Sequence, residues 1–144
     1  MYSVVLDTNV LIAGLRSANG ASFAVLEGVG RKFELNVSVP LVLEYEAVAK
    51  RLARELGLTF EDIDDVLDYL CSVAHHRLIY YLWRPVLRDP NDDLVLELAV
   101  ESNADYLVTH NIRDFAGSEQ FGVRVISPRD FLGILRSTWK EEKR

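Results

Sequence analysis

An α/β fold in three layers, with helices on both sides of a parallel sheet of about five strands, is what the sequence predicts. Short apolar runs alternate with longer amphipathic stretches, an order that gives parallel pairing with helices on both faces. No linker, repeat or low-complexity segment interrupts residues 1–144. A single domain is therefore expected, with residues 140–144 as a charged tail that frays. Acidic residues also recur where the apolar runs end, and open α/β sheets bind their ligands beyond the carboxyl ends of the strands.

The elements follow in order. Residues 3–6 form a short apolar run closed by Asp7, the pattern of a buried strand. Residues 10–16 and 22–31 read as short helices, parted by the turn-prone Ala18-Asn19-Gly20. Residues 33–39 form the second strand. Pro40 suits the first turn of a helix reaching about Leu56, where Gly57 ends it. Thr59 and Asp62 resemble a capping box for a helix running to about His75. Residues 78–82 are expected as the third strand, closed by Pro85. After the turn formers Arg88-Asp89-Pro90-Asn91, residues 92–103 form a helix, residues 106–109 a fourth strand and residues 123–126 a fifth. Ser127 and Pro128 cap and open the last helix.

Charge and composition narrow the function classes. Hydrophobic residues make up 49% and charged residues 26%, which argues against disorder. The single cysteine, Cys71, excludes an internal disulfide framework and points to a reducing compartment. The start Met1-Tyr2-Ser3 lacks the basic opening of a signal peptide, and no apolar run is long enough to span a bilayer. A cytoplasmic protein with no membrane association is expected. The net charge of −6 runs against a nucleic-acid partner at first sight. A nuclease that gathers carboxylates around metal ions becomes acidic through its own site, so the sign does not decide the question.

Acid stands where this fold places a site: Asp7 after the first strand, Glu44 early in the helix after the second, Asp92 and Asp93 at a helix start, and Asp114 after the fourth strand. At about 100° per residue, Tyr45, Val48, Leu52 and Leu56 fall within about 60° of Leu41, and Glu44 flanks that buried stripe beside Val48. Glu46 points to solvent. In the later helix Asp92 falls among Val95, Leu96 and Ala99, with Asp93 about 100° away at the margin. Singly, each acid at a helix start has a structural explanation as a cap of free N–H groups. Several converging acids need cations, because buried unpaired carboxylates are costly.

The run Val5-Leu6-Asp7-Thr8-Asn9-Val10-Leu11 resembles the opening motif of PIN domains, the family that includes the toxin ribonucleases of VapBC-type toxin–antitoxin pairs. The resemblance continues through Leu43-Glu44-Tyr45-Glu46, through Asp89-Pro90-Asn91-Asp92-Asp93, and from Ala104 to Phe115. It implies a PIN-like fold and a metal-dependent endoribonuclease leaving a 5′-phosphate and a 3′-hydroxyl. It carries the catalytic acids onto Asp7, Glu44, Asp92 or Asp93, and Asp114, with Asp7, Glu44, Asp92 and Asp114 as the metal set. Asp92 is preferred because it faces inward and follows Asn91. Many relatives have aspartate where this chain has Asn111; Asp114 then supplies the charge, with Asn111 orienting a water or a carboxylate. The resemblance also implies an RNA substrate, a cognate antitoxin and a homodimer.

Oxygen ligands without His or Cys suit Mg²⁺ or Mn²⁺ over zinc. Thr8, Asn9 and Thr109 are expected as supporting polar groups, although Thr8 and Asn9 equally suit the strand-to-helix turn. Arg113 is the first choice for a phosphate contact, and His110 a second substrate contact. Lys50, Arg51 and Arg54 read as a solvated basic face. Tyr80, Tyr81 and Trp83 suit either base stacking or core. Two rivals stand against the nuclease. A phosphatase of the haloacid dehalogenase type wants a second aspartate at the position of Asn9. A PIN-like module that binds RNA or protein without cleaving is favoured only by Asn111.

Overall fold

A computed structural model describes residues 1–79 and 87–142. The chain runs β1 (Ser3–Leu6), α1 (Thr8–Arg16), α2 (Ala21–Glu27), β2 (Glu34–Val37), α3 (Val39–Arg51), α4 (Ala53–Leu56), α5 (Phe60–Val73), β3 (His75–His76), α6 (Pro90–Glu101), β4 (Tyr106–Val108), β5 (Arg124–Ile126) and α7 (Pro128–Glu142). Two short 3₁₀ turns, Ile112–Phe115 and Ser118–Phe121, lie between β4 and β5.

All strand pairs are parallel, in the order β3-β2-β1-β4-β5. In β1, Val4, Val5 and Leu6 are all essentially inaccessible to solvent. Successive strand side chains point to opposite faces, so both faces are covered and the architecture is the expected α/β/α sandwich. The chain passes from β1 outward to β2 and β3, then crosses to β4 on the other side of β1. That reversal makes the carboxyl ends of β1 and β4 a topological switch point, where the loops diverge and leave a crevice. No helix among the described residues is long and apolar enough to cross a membrane.

Local chemistry explains most boundaries. Thr59 and Asp62 form a complete reciprocal capping box at the start of α5. The Ser127 hydroxyl accepts from the Asp130 N–H at the start of α7. Gly57 (φ 69°) and Gly30 (φ 75°) occupy left-handed turns that side chains disfavour.

Several boundaries differ from those expected. Leu52 (φ −97°, ψ 5°) leaves helical geometry and splits the helix expected from 40 to 56 into α3 and α4. No Pro or Gly marks that break. α6 starts two residues early, because Asp89 is its cap and accepts from the Asn91 N–H at 2.9 Å. The third strand pairs at His75–His76, against Asn36 and Val37, earlier than the expected 78–82. Of that expected strand, residues 78 and 79 are not in a strand, and 80–82 lie outside the described residues together with Trp83 and Pro85. α7 takes in residues 140–142 of the expected frayed tail, and the last two lie outside the described residues.

Candidate active site

Asp7 follows the last residue of the central strand and caps α1, with extended backbone (φ −66°, ψ 152°) and its carboxylate accepting from the Thr8 N–H at 2.8 Å. A buried threonine across the switch point grips the other oxygen: Thr109 Oγ1 donates to Asp7 Oδ2 at 2.8 Å, and Asn9 Nδ2 adds a contact at 3.2 Å. Asn9 also accepts from the His110 N–H, which ties the end of β1 to the segment after β4. Thr8, Asn9 and Thr109 thus form one network around Asp7.

Glu44 enters from α3. Its neighbour Tyr45 is buried and donates its phenol to the Leu6 carbonyl, which pins α3 against the end of β1. Glu44 Oε2 then accepts from Thr8 Oγ1 at 2.8 Å. The structure therefore joins Asp7, Thr8 and Glu44.

These residues line a cleft of about 460 Å³ together with Asp89, Asn91, Asp92, Asn111 and Asp114. Asp114 reaches it from the 3₁₀ turn after β4. The two aspartates of α6 separate. Asp92 lines the cleft and is half-exposed, whereas Asp93 is buried and accepts the Leu87 N–H at 3.0 Å. The burial order is the reverse of the angle count. In α6, Val95 through Ala99 are all buried, Glu97 included, so the helix has no single inward face for the count to find.

The electrostatics of the cleft are unfavourable to its own charges. Burial pushes the Asp92 carboxyl up to about 7, with Asp7, Asp89, Asp114 and Glu44 adding repulsion. Burial also raises Asp7, a rise that its bonds to Thr109 and Thr8 partly offset and that Asp114 and Asp89 reinforce. Glu44 is raised by burial and by Asp7 and Asp89, against the bond from Thr8. A cation in this cleft would relieve all three groups at once. The donors are hard oxygens, with no His or Cys in the lining, and this set fits Mg²⁺ or Mn²⁺. Among the described residues, however, no group of three acidic, His or Cys side chains is drawn together tightly enough to hold a metal as it stands. The carboxylates share a cleft without meeting at a point.

Other expected contacts fall elsewhere. His110 Nε2 lies 2.7 Å from Ser22 Oγ, and Arg113 is exposed on its 3₁₀ turn; neither lines the cleft. Arg16 and Arg51 do line it. Asp89 was readable only as part of a turn, and Arg51 only as part of a solvated basic face. A signal for Arg16 was present in the four-residue spacing Thr8, Ile12, Arg16, which puts three side chains on one stripe of α1.

A family profile described as PIN domain matches residues 3–113. Among solved structures, VapBC2 from Rickettsia felis bound to a DNA fragment from their promoter is similar at 17% identity and TM-score 0.59, covering 87% of this chain and 98% of that one. FitAcB from Neisseria gonorrhoeae is similar at 18% identity and TM-score 0.58, covering 87% and 97%. VapBC-1 from nontypeable Haemophilus influenzae is similar at 17% identity and TM-score 0.56, covering 88% and 98%. Among curated proteins there is no significant match.

Proposed function

The chain belongs to the PIN-domain family, and from that membership we propose that it is a Mg²⁺- or Mn²⁺-dependent endoribonuclease, the toxin of a toxin–antitoxin pair. One observation carries the reading: carboxylates from four separate chain segments line one cleft at the switch point, where burial and then the neighbouring acids raise the pKa of Asp7, Glu44 and Asp92. Asp7, Glu44, Asp92 and Asp114 are the residues that would hold the metal. A divalent ion held there would supply positive charge for a phosphate oxygen and lower the pKa of a water for hydrolysis.

The chain's own groups set the stage for that chemistry. Thr109 and the Thr8 N–H fix the orientation of Asp7. The Thr8 hydroxyl holds one Glu44 oxygen, which fixes this carboxylate at the edge of the cleft. Asp93 plays a structural part by closing the loop before α6 through the Leu87 N–H. The likeness to VapBC and FitAcB supports a protein partner, a cognate antitoxin. Phe60 and Tyr69 on α5, 59% and 48% exposed, support a homodimer through that helix.

The test is incubation of single-stranded RNA with the protein and its Asp7→Asn variant, in chelator, Mg²⁺ and Mn²⁺. Metal-dependent products ending in 5′-phosphate, absent with Asp7→Asn, are expected. A second reading, a module that binds RNA or a partner without cleaving, draws on Asn111 and on the absence, among the described residues, of a converged carboxylate cage. Mn²⁺ binding without cleavage of any RNA would select it.

A further inference from the structure

The carboxylate cleft does not stop at the acids. It continues between α1 and α3, two helices packed against each other. Thr8, Ile12 and Arg16 recur every four residues along α1, and Glu44, Val48 and Arg51 follow a matching stripe of α3. All six line the same cleft. At the acidic end, Thr8 donates to Glu44. At the other end, about 12 Å along α1 at 1.5 Å per residue, stand two arginines. Between them Ile12 and Val48 make an aliphatic floor.

We propose that this groove is the path of the RNA strand, with Arg16 and Arg51 each holding a phosphate a few nucleotides from the scissile one and the intervening base resting on the aliphatic floor. The proposal rests on the ribonuclease reading above. The arginines are available for the task. Among the described residues Arg51 makes no ion pair, and Arg16 has only Glu55 at 3.8 Å, with both side chains well exposed. Such a pair is worth little and exchanges readily for a phosphate. The charge order also favours a nucleic acid over a peptide. An acid end that wants metal-bridged phosphate, followed by a cationic end, matches a polymer carrying the same anion at every step. Both walls are helices, whose paired backbones offer an extended peptide no edge to add to. An aliphatic floor has no hydrogen-bonding groups to read a base edge, so this subsite tolerates any base.

Binding of a fluorescent single-stranded oligoribonucleotide, in the Asp7→Asn background with Mg²⁺ held constant, tests the idea across a salt series. Removing two phosphate contacts lowers the slope of log affinity against log salt by about 1.4, at about 0.7 per single-strand contact. If the contacts vanish at molar salt, Arg16→Ala with Arg51→Ala weakens binding on the order of 25-fold at 0.1 M. Glu55→Gln frees Arg16 and strengthens binding, and Arg129→Ala, at the start of α7, changes nothing. A double variant with the parent's slope overturns the proposal while leaving the ribonuclease reading intact. A double variant that keeps RNA affinity but loses a co-expressed partner protein overturns it in favour of a protein groove. A parent that binds no RNA overturns both.

Discussion

Asp92→Asn is expected to stabilise the metal-free protein at alkaline pH. In the folded chain the Asp92 carboxyl is raised from its ordinary 3.8 to about 7, chiefly by burial and then by four neighbouring acids. The folded state therefore keeps a proton that the unfolded chain has already lost between about pH 4 and pH 7. Stability from this group is greatest below pH 4, falls as pH rises to about 7, and is flat above. At about 1.36 kcal/mol per tenfold change in acidity, the ceiling is about 4 kcal/mol. Asp92 is half-exposed, and solvent screening reduces this to roughly 1–2 kcal/mol. A carboxylate in the first turn of α6 also gains about 0.5 kcal/mol from the helix dipole, which Asn forfeits. Burial and repulsion still win, by about 0.5–1.5 kcal/mol. For a chain of this length the gain is about 2–5 °C in melting temperature. The assay is thermal unfolding of both proteins in chelator at pH 5 and pH 8. The wild type should lose more stability between the two than the variant does. A variant that melts at or below wild type at pH 8 would refute the claim that these carboxylates are held together against their repulsion.

The remaining expectations are simpler. Millimolar Mg²⁺ or Mn²⁺ should raise the melting temperature, and Asp7→Asn should remove most of that rise; an equal rise in both proteins would exclude Asp7 as a ligand. Asp93→Ala, which strands the Leu87 N–H, should cost about 1–3 kcal/mol in denaturant unfolding yet keep RNA cleavage, whereas Asp92→Asn abolishes it. The opposite activity pattern would exchange their roles. Gly30→Ala puts a Cβ 2.9 Å from that of Val73 at a φ of 75°, so it should destabilise by about 1–3 kcal/mol without altering the response to metal. A neutral effect on unfolding would show that the turn before β2 is not constrained as described.

Periodicity and caps are local properties, and the sequence by itself determined what depends on them. The alternation of strands and helices, the Thr59–Asp62 box, Ser127 as a cap and the position of Glu44 beside Val48 all follow from neighbours within a few residues. Asp7 at a strand end was legible for the same reason. The tertiary structure decided whatever depends on approach between distant segments. That Thr109 grips Asp7 from 102 residues away is a fact of the β1–β4 register. The break at Leu52 has no sequence mark, and the pairing of His75 and His76 is set by β2. Asp92 and Asp93 could not be ranked by angle, because α6 is buried by the sheet and its neighbours on nearly every side. Arg51 read as a solvated cation because its helix alone does not reveal α1 lying alongside it. The groove between α1 and α3 exists only once β1 and β2 place the two helices side by side, and no single segment of the chain encodes it.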